Sequence, residues 1–185
     1  MSFGYEKNNR ENTLIMKGNL GYVNQRIGIF VDVQNLYHSA RNLYHARVNY
    51  PELIKNLVAG RQLIRAMAYV VKSDTALGES AFFEALEKSG LELRIKDLQI
   101  YPDGLKKADW DVGMAVDAIR MSPFLDVVVL VTGDGDFLPL IDYLKWGVGR
   151  LVEVAAFKRT ASAKVQEAAD RFTNLEEVPR VILRK

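Results

Sequence analysis

Apolar residues follow two rhythms along this chain. Ile27-Gly28-Ile29-Phe30-Val31 and Val127 to Val131 are unbroken apolar runs of strand length, and Leu63 to Val71 and Leu151 to Phe157 are two more with one charged residue each. Runs rich in Val, Ile and Leu suit strands buried on both faces. Leu91 to Ile100 differs, because Leu91, Leu93 and Ile95 alternate with Glu92, Arg94 and Lys96. That is the period of a strand with one wet face, near a sheet edge. Helical spacing fills the intervals. Leu36, Ala40 and Leu43 mark a first helix, and Pro51 opens a second that runs through Ala59. Asp74 or Thr75 is placed to cap a third, which carries Phe82, Phe83 and Leu86 and closes at Gly90. Trp110 to Met121 reads as a helix with Val112, Ala115, Val116 and Ile119 on its core stripe. Phe137 to Trp146 and Ala161 to Phe172 read as the last two helices, and Val181-Ile182-Leu183 as an extended tail.

Strands that alternate with helices predict an α/β fold with a mostly parallel sheet covered on both faces. Residues 1–24 are polar and aperiodic and read as a flexible lead-in, 25–176 as one domain, and 177–185 as a tail. In such sheets ligands bind beyond the carboxyl ends of the strands, where strand order reverses. Asp32, Lys72, Asp134 and Lys158 all fall at those ends.

Composition narrows the chemistry. With no cysteine there is no disulfide, thiolate nucleophile or Cys-bound zinc, which fits a cytoplasmic setting. The two histidines, His38 and His45, stand seven residues apart on one helix, two turns from each other and too far to share a zinc ion. A zinc hydrolase or a Ser-His-Asp enzyme is thereby disfavoured. No apolar run approaches the ~20 residues needed to cross a bilayer, and the start of the chain lacks a signal-peptide core. A formal net charge of +2 argues against binding that depends on a large basic excess, but excludes neither nucleic acid nor small molecules.

Acidic residues carry the chemistry instead. Gly133-Asp134-Gly135-Asp136-Phe137 follows the buried Val127 to Val131 run, and Asp32 ends the Ile27 to Val31 run, with Asn35 one turn later. Asp111 opens the helix that continues through Val112 and Ile119, where the macrodipole favours an anion. Carboxylates held together at the edge of a core repel and call for a cation, a shared proton or N–H donors. An oxygen-only donor set suits a hard ion such as Mg²⁺ or Mn²⁺. Each acid also has a bland role open to it: helix N-cap for Asp32 and Asp136, dipole partner for Asp111. Asp117 points about 120° away from Asp111 around the helix and reads as a supporting acid; Asp109 reads as a cap. Lys106, Lys107, Lys158 and Arg159 are placed to meet phosphates, and Tyr37, Tyr69 and Trp110 to stack on bases.

Three segments together resemble the motifs of NYN domains, in the PIN-like nuclease superfamily, and of the LabA-like bacterial group in particular. They are Asp32-Val33-Gln34-Asn35-Leu36, Asp111-Val112-Gly113-Met114-Ala115-Val116-Asp117-Ala118 and Thr132-Gly133-Asp134-Gly135-Asp136-Phe137. The likeness extends from about Arg26 to about Leu175 and includes Ala168 to Phe172. Gly135 departs from the pattern, since Ser is common there. The resemblance implies a Rossmann-like three-layer sandwich and a site for Mg²⁺ or Mn²⁺. It assigns metal binding and catalysis to Asp32, Asp111, Asp134 and Asp136, and matches Asn35 to the first-motif Asn. Asn35, Thr132, Lys107 and Lys158 are then the candidate substrate contacts.

The leading expectation is a divalent-metal-dependent endoribonuclease acting on single-stranded or structured RNA. The first alternative is a regulatory module that binds RNA or protein and keeps the acidic pocket without turnover. A haloacid-dehalogenase-type phosphohydrolase ranks lower, because its nucleophilic Asp is followed two residues on by a second Asp and the residue here is Gln34. Oligomeric state stays open, a homodimer included.

Overall fold

The computed structural model describes residues 23–72, 79–100, 106–107 and 109–184. The lead-in up to residue 22 and the expected caps Asp74 and Thr75 lie outside the described residues. Strands β1 (Arg26–Asp32), β3 (Gln62–Lys72), β4 (Glu92–Asp97), β7 (Val127–Val131), β8 (Leu151–Ala156) and β9 (Arg171–Asn174) form one sheet in the order β4-β3-β1-β7-β8-β9. Every pairing in it is parallel. The two-residue strands β2 (Arg47–Val48) and β10 (Ile182–Leu183) pair with each other, as do β5 (Gln99–Ile100) and β6 (Lys106–Lys107).

Side-chain alternation splits the core into two layers. Ile27, Ile29, Val31, Val127, Val129 and Val131 face one layer, with α1 (Val33–Tyr44), α2 (Tyr50–Val58) and α3 (Glu79–Lys88) over it. Phe30, Val128 and Leu130 face the other, beneath α4 (Asp111–Met121), α5 (Leu138–Asp142) and α6 (Ala163–Ala168). Both faces of β1 and β7 are therefore buried, which is why their sequences are almost wholly apolar. Asn49 caps α2 by accepting from the Glu52 N–H, and Pro51 sits in its first turn, where a missing N–H costs nothing.

Three elements depart from the sequence pattern. Phe137 to Trp146 is not one regular helix: a 3₁₀ turn (Gly135–Phe137) leads into α5, which continues as a π-helical turn, Tyr143–Gly147. Ala161 to Phe172 is a helix only from Ala163 to Ala168, and the residues from Arg171 onward form the sixth strand. Asp170 ends that helix. Its backbone N–H donates to the Val152 carbonyl while its carboxylate accepts from the Val152 N–H, so sheet pairing overrides helix propensity. The third departure is the orientation of α4. Met114 and Ala118 are buried, whereas Val112, Val116 and Ile119 of the expected core stripe face solvent.

The chain runs outward from β1 through β3 to β4, then returns to start again at β7 beside β1. The topological switch point thus lies between the carboxyl ends of β1 and β7.

Candidate functional site

Asp32 is the last residue of β1 and the N-cap of α1. Its Oδ1 accepts the Asn35 backbone N–H at 3.0 Å, and its Oδ2 accepts the Thr132 hydroxyl at 3.2 Å. Thr132, fully buried just past β7, also accepts the Asp134 backbone N–H on the same hydroxyl oxygen at 3.2 Å. The Asn35 side-chain oxygen accepts the Gly133 N–H at 3.0 Å. Two segments about a hundred residues apart are locked together by these bonds because β1 and β7 are neighbours.

The Gly133 turn is packed from outside as well. A β-carbon there would lie 2.9 Å from the Ala161 Cα, and the Ser162 N–H donates to the Gly133 carbonyl. The loop after β8 therefore buttresses the loop after β7. Asp134 caps the following 3₁₀ turn, its Oδ1 accepting the Asp136 N–H at 3.0 Å, and Asp136 itself is exposed.

Asp111 enters from α4, on the opposite layer from α1. Burial, and then the negative charges of Asp134, Asp32, Asp109 and Asp136, push its carboxyl up to about 6. Burial also raises Asp32, offset by the Asn35 N–H and the Thr132 hydroxyl, with the Asp134 charge acting in the same direction as burial. The charges of Asp134, Asp32, Asp109 and Asp136 thus all reach Asp111, and that of Asp134 reaches Asp32. Among the described residues, no three His, Cys, Asp or Glu side chains stand together as a ready coordination set. Asp32 and Asp134 each turn an oxygen to a helix or turn N-terminus. The donor chemistry, oxygen only and negatively charged, fits a hard divalent cation.

The flanks differ from expectation. Tyr69 is no base-stacking residue: it is 1% exposed, and its hydroxyl donates to Asp117, which also pairs with Arg94. Burial, then the Asp117 charge, raises that phenol above its ordinary range. Trp110 is anchored by its Nε1–H to the Val70 carbonyl and meets the Tyr69 ring edge-on. Tyr37 is exposed, with its hydroxyl accepting from Arg41. Lys158 is exposed just past β8, while Arg159 is engaged by Glu176 and by the Tyr44 ring. Lys106 and Lys107 form β6, and their side chains lie outside the described residues. His38 is exposed against Tyr37, and His45 ends α1 with φ 49°, so neither histidine belongs to the acidic edge.

Two neighbours of the site escaped the sequence reading. Lys96 on β4 donates to the Asp109 carbonyl at 3.1 Å and sits 5.4 Å from the Trp110 ring centroid, two residues from Asp111. Its only sequence signal was a place on the wet face of an edge strand. Buried Tyr50 on α2 is close enough to Asp32 that, after burial, the Asp32 charge raises its phenol.

A parallel α/β sheet in this strand order, with helices on both faces, is a PIN-like fold. The model of the NYN domain matches residues 26–176, and the chain belongs to that family. It is 25% identical over 162 residues to the Low amplitude and bright protein LabA of Synechococcus elongatus, covering 83% of this chain and 85% of that one. It also matches the crystal structure of VPA0982, a protein of unknown function from Vibrio parahaemolyticus, with a TM-score of 0.79 and 31% identity. That match covers 86% of this chain and 97% of the other. No described helix is long and apolar enough to cross a membrane.

Proposed function

We propose that this chain hydrolyses RNA phosphodiester bonds with Mg²⁺ or Mn²⁺ at the carboxyl edge between β1 and β7. One observation carries the reading: a single buried hydroxyl, Thr132 Oγ1, holds both the Asp32 carboxylate and the Asp134 backbone at the switch point. Asp32, Asp134 and Asp111 are the groups that would hold the ion, with Asp136 placed to orient the attacking water or hold a second ion. When bound, the cation supplies Lewis-acid stabilisation of the phosphodiester oxygens and lowers the proton affinity of a water. The membership in the NYN family and the likeness to LabA support this reading at the level of class. Asn35 and Thr132 act chiefly by positioning the two acid loops, while exposed Lys158, together with Lys107 of β6, is the candidate phosphate contact.

Asp32→Asn and Asp134→Asn test the reading well. Asn is as good an N-cap as Asp, so the α1 cap is kept while the charge is lost. Mn²⁺- or Mg²⁺-dependent cleavage of single-stranded and structured RNA should fall by about a hundredfold or more, as for loss of a group that stabilises transition-state charge. Melting temperature should hold steady. Wild-type protein that leaves a panel of RNAs intact, or Asn variants as active as wild type, would overturn it.

A second reading, a binding module without turnover, has its own support: Asp32 and Asp134 both serve as caps, and among the described residues no three acids stand preassembled. It is distinguished by metal that stabilises the fold and RNA that is retained but never cut.

A further inference from the structure

The outer face of α4 is apolar where an ordinary amphipathic helix is polar. Val112 is 73% exposed, Val116 46% and Ile119 37%, and Phe124 just beyond the helix is 59% exposed. At 100° per residue the three helical side chains fall within about 60° of one another and form a stripe about 10 Å long. Scattered exposed apolar residues are normal, but three in line on one helix with a fourth, Phe124, just beyond its end mark an interaction surface. The inward face is already filled, with Met114 and Ala118 fully buried against Phe30, Tyr69 and Leu130, so α4 has no reason to roll the stripe inward.

The charges at the two ends of the stripe select its occupant. Asp109 lies exposed before the N-terminus of α4, and Arg120 lies exposed in its last turn, 3.9 Å from Asp117. Opposite charges at opposite ends of one apolar stripe are self-complementary under a two-fold rotation. An antiparallel copy of α4 places Val116 near the axis, Val112 against Ile119, and Asp109 against Arg120, twice over. A parallel arrangement would bring Asp109 to Asp109 and Arg120 to Arg120. We propose that α4 is the contact through which two copies of this chain associate, antiparallel, about a two-fold axis close to Val116. The inference is independent of the nuclease reading. An apolar contact of this size gives a modest, concentration-dependent dimer rather than an obligate one.

Sedimentation equilibrium of the full chain from about 5 to about 200 µM should show monomer passing into dimer. Val116→Glu should weaken the association at least about tenfold, as expected for a central apolar contact, with an unchanged circular-dichroism melt. Arg120→Asp should weaken it too, and the double variant Asp109→Arg/Arg120→Asp should restore it. A chain that stays monomeric over the whole range overturns the proposal, as does a dimer indifferent to Val116→Glu. Failure of the double variant to regain association removes the antiparallel two-fold.

Discussion

The side-chain oxygen of Asn35 accepts the Gly133 N–H at 3.0 Å, joining the start of α1 to the loop that presents Asp134. Asn35 is thereby fixed with its oxygen toward protein, and its role is to hold two acid loops in register. Asn35→Ala leaves a part-buried N–H unpaired, which costs about 1–2 kcal/mol. Urea unfolding should show that loss, and RNA cleavage should fall further than stability does, because Asp32 and Asp134 lose their common reference. An Asn35→Ala protein with full turnover would show that the tie does not matter to the site.

Glycines 133 and 135 make a contrasting pair. At Gly133 an added β-carbon meets the Ala161 backbone at 2.9 Å, and backbone cannot move aside cheaply. Gly133→Ala should destabilise by about 1–3 kcal/mol, the range for overpacking, and displace Asp134. At Gly135 the same atom meets the Ser162 hydroxyl at 3.3 Å, a group that can rotate. Gly135→Ser should stay within about 0.5 kcal/mol of wild type and keep cleavage. Equal melting temperatures for the two variants would refute the packing argument.

Which parts of this were legible beforehand follows from the range of the forces involved. β1 and β7 read correctly because burial on both faces leaves a local signature, an unbroken apolar run. The acids at their ends were visible for the same reason. The sixth strand was not, because Ala163 to Ala169 favours helix and only the exchange of bonds between Asp170 and Val152 ends it. The periodicity of α4 correctly gave a helix but not its orientation. Phe30 and Tyr69 already crowd the sheet surface, so a Met and an Ala face inward and the valines face out. The Thr132 bridge and the Asn35 tie join residues about a hundred positions apart, and no local pattern encodes them. Lys96 was hidden in the same way, as one of several charges on an edge strand.

Arg61 and Glu153 form a buried two-point ion pair, at 2.8 and 2.9 Å, beneath the helices that carry Asp32's neighbours. The guanidinium also donates to the Leu57 and Val58 carbonyls at the end of α2, so four of its N–H groups end on protein oxygens. Removing one partner strands the other charge without water. Glu153→Met or Arg61→Met should therefore cost about 3–5 kcal/mol, read as a lower urea midpoint with an unchanged slope. The double variant Arg61→Met/Glu153→Met should lose much less than the two single losses added together. Strict additivity would mean that the two side chains do not act as a pair.

Arg26 and Asp126 supply a pH-dependent link at the opposite, amino-terminal edge of the sheet. The Arg26 side chain and backbone N–H both donate to the Asp126 carboxylate, and these bonds, ahead of plain charge attraction, draw its carboxyl down to about 2. A depressed carboxyl binds its proton more readily in the unfolded chain, so stability rises with pH across the interval between the two values. The contribution is complete above about pH 4, the ordinary Asp range, and is lost as pH falls toward 2. Both groups are substantially exposed, so solvent screens the pair and the effect is small. Urea midpoints of wild type and Asp126→Asn should differ by a constant amount from neutral pH down to about 4 and converge below it. A gap that persists undiminished in strong acid would show that Asp126 acts through packing rather than charge.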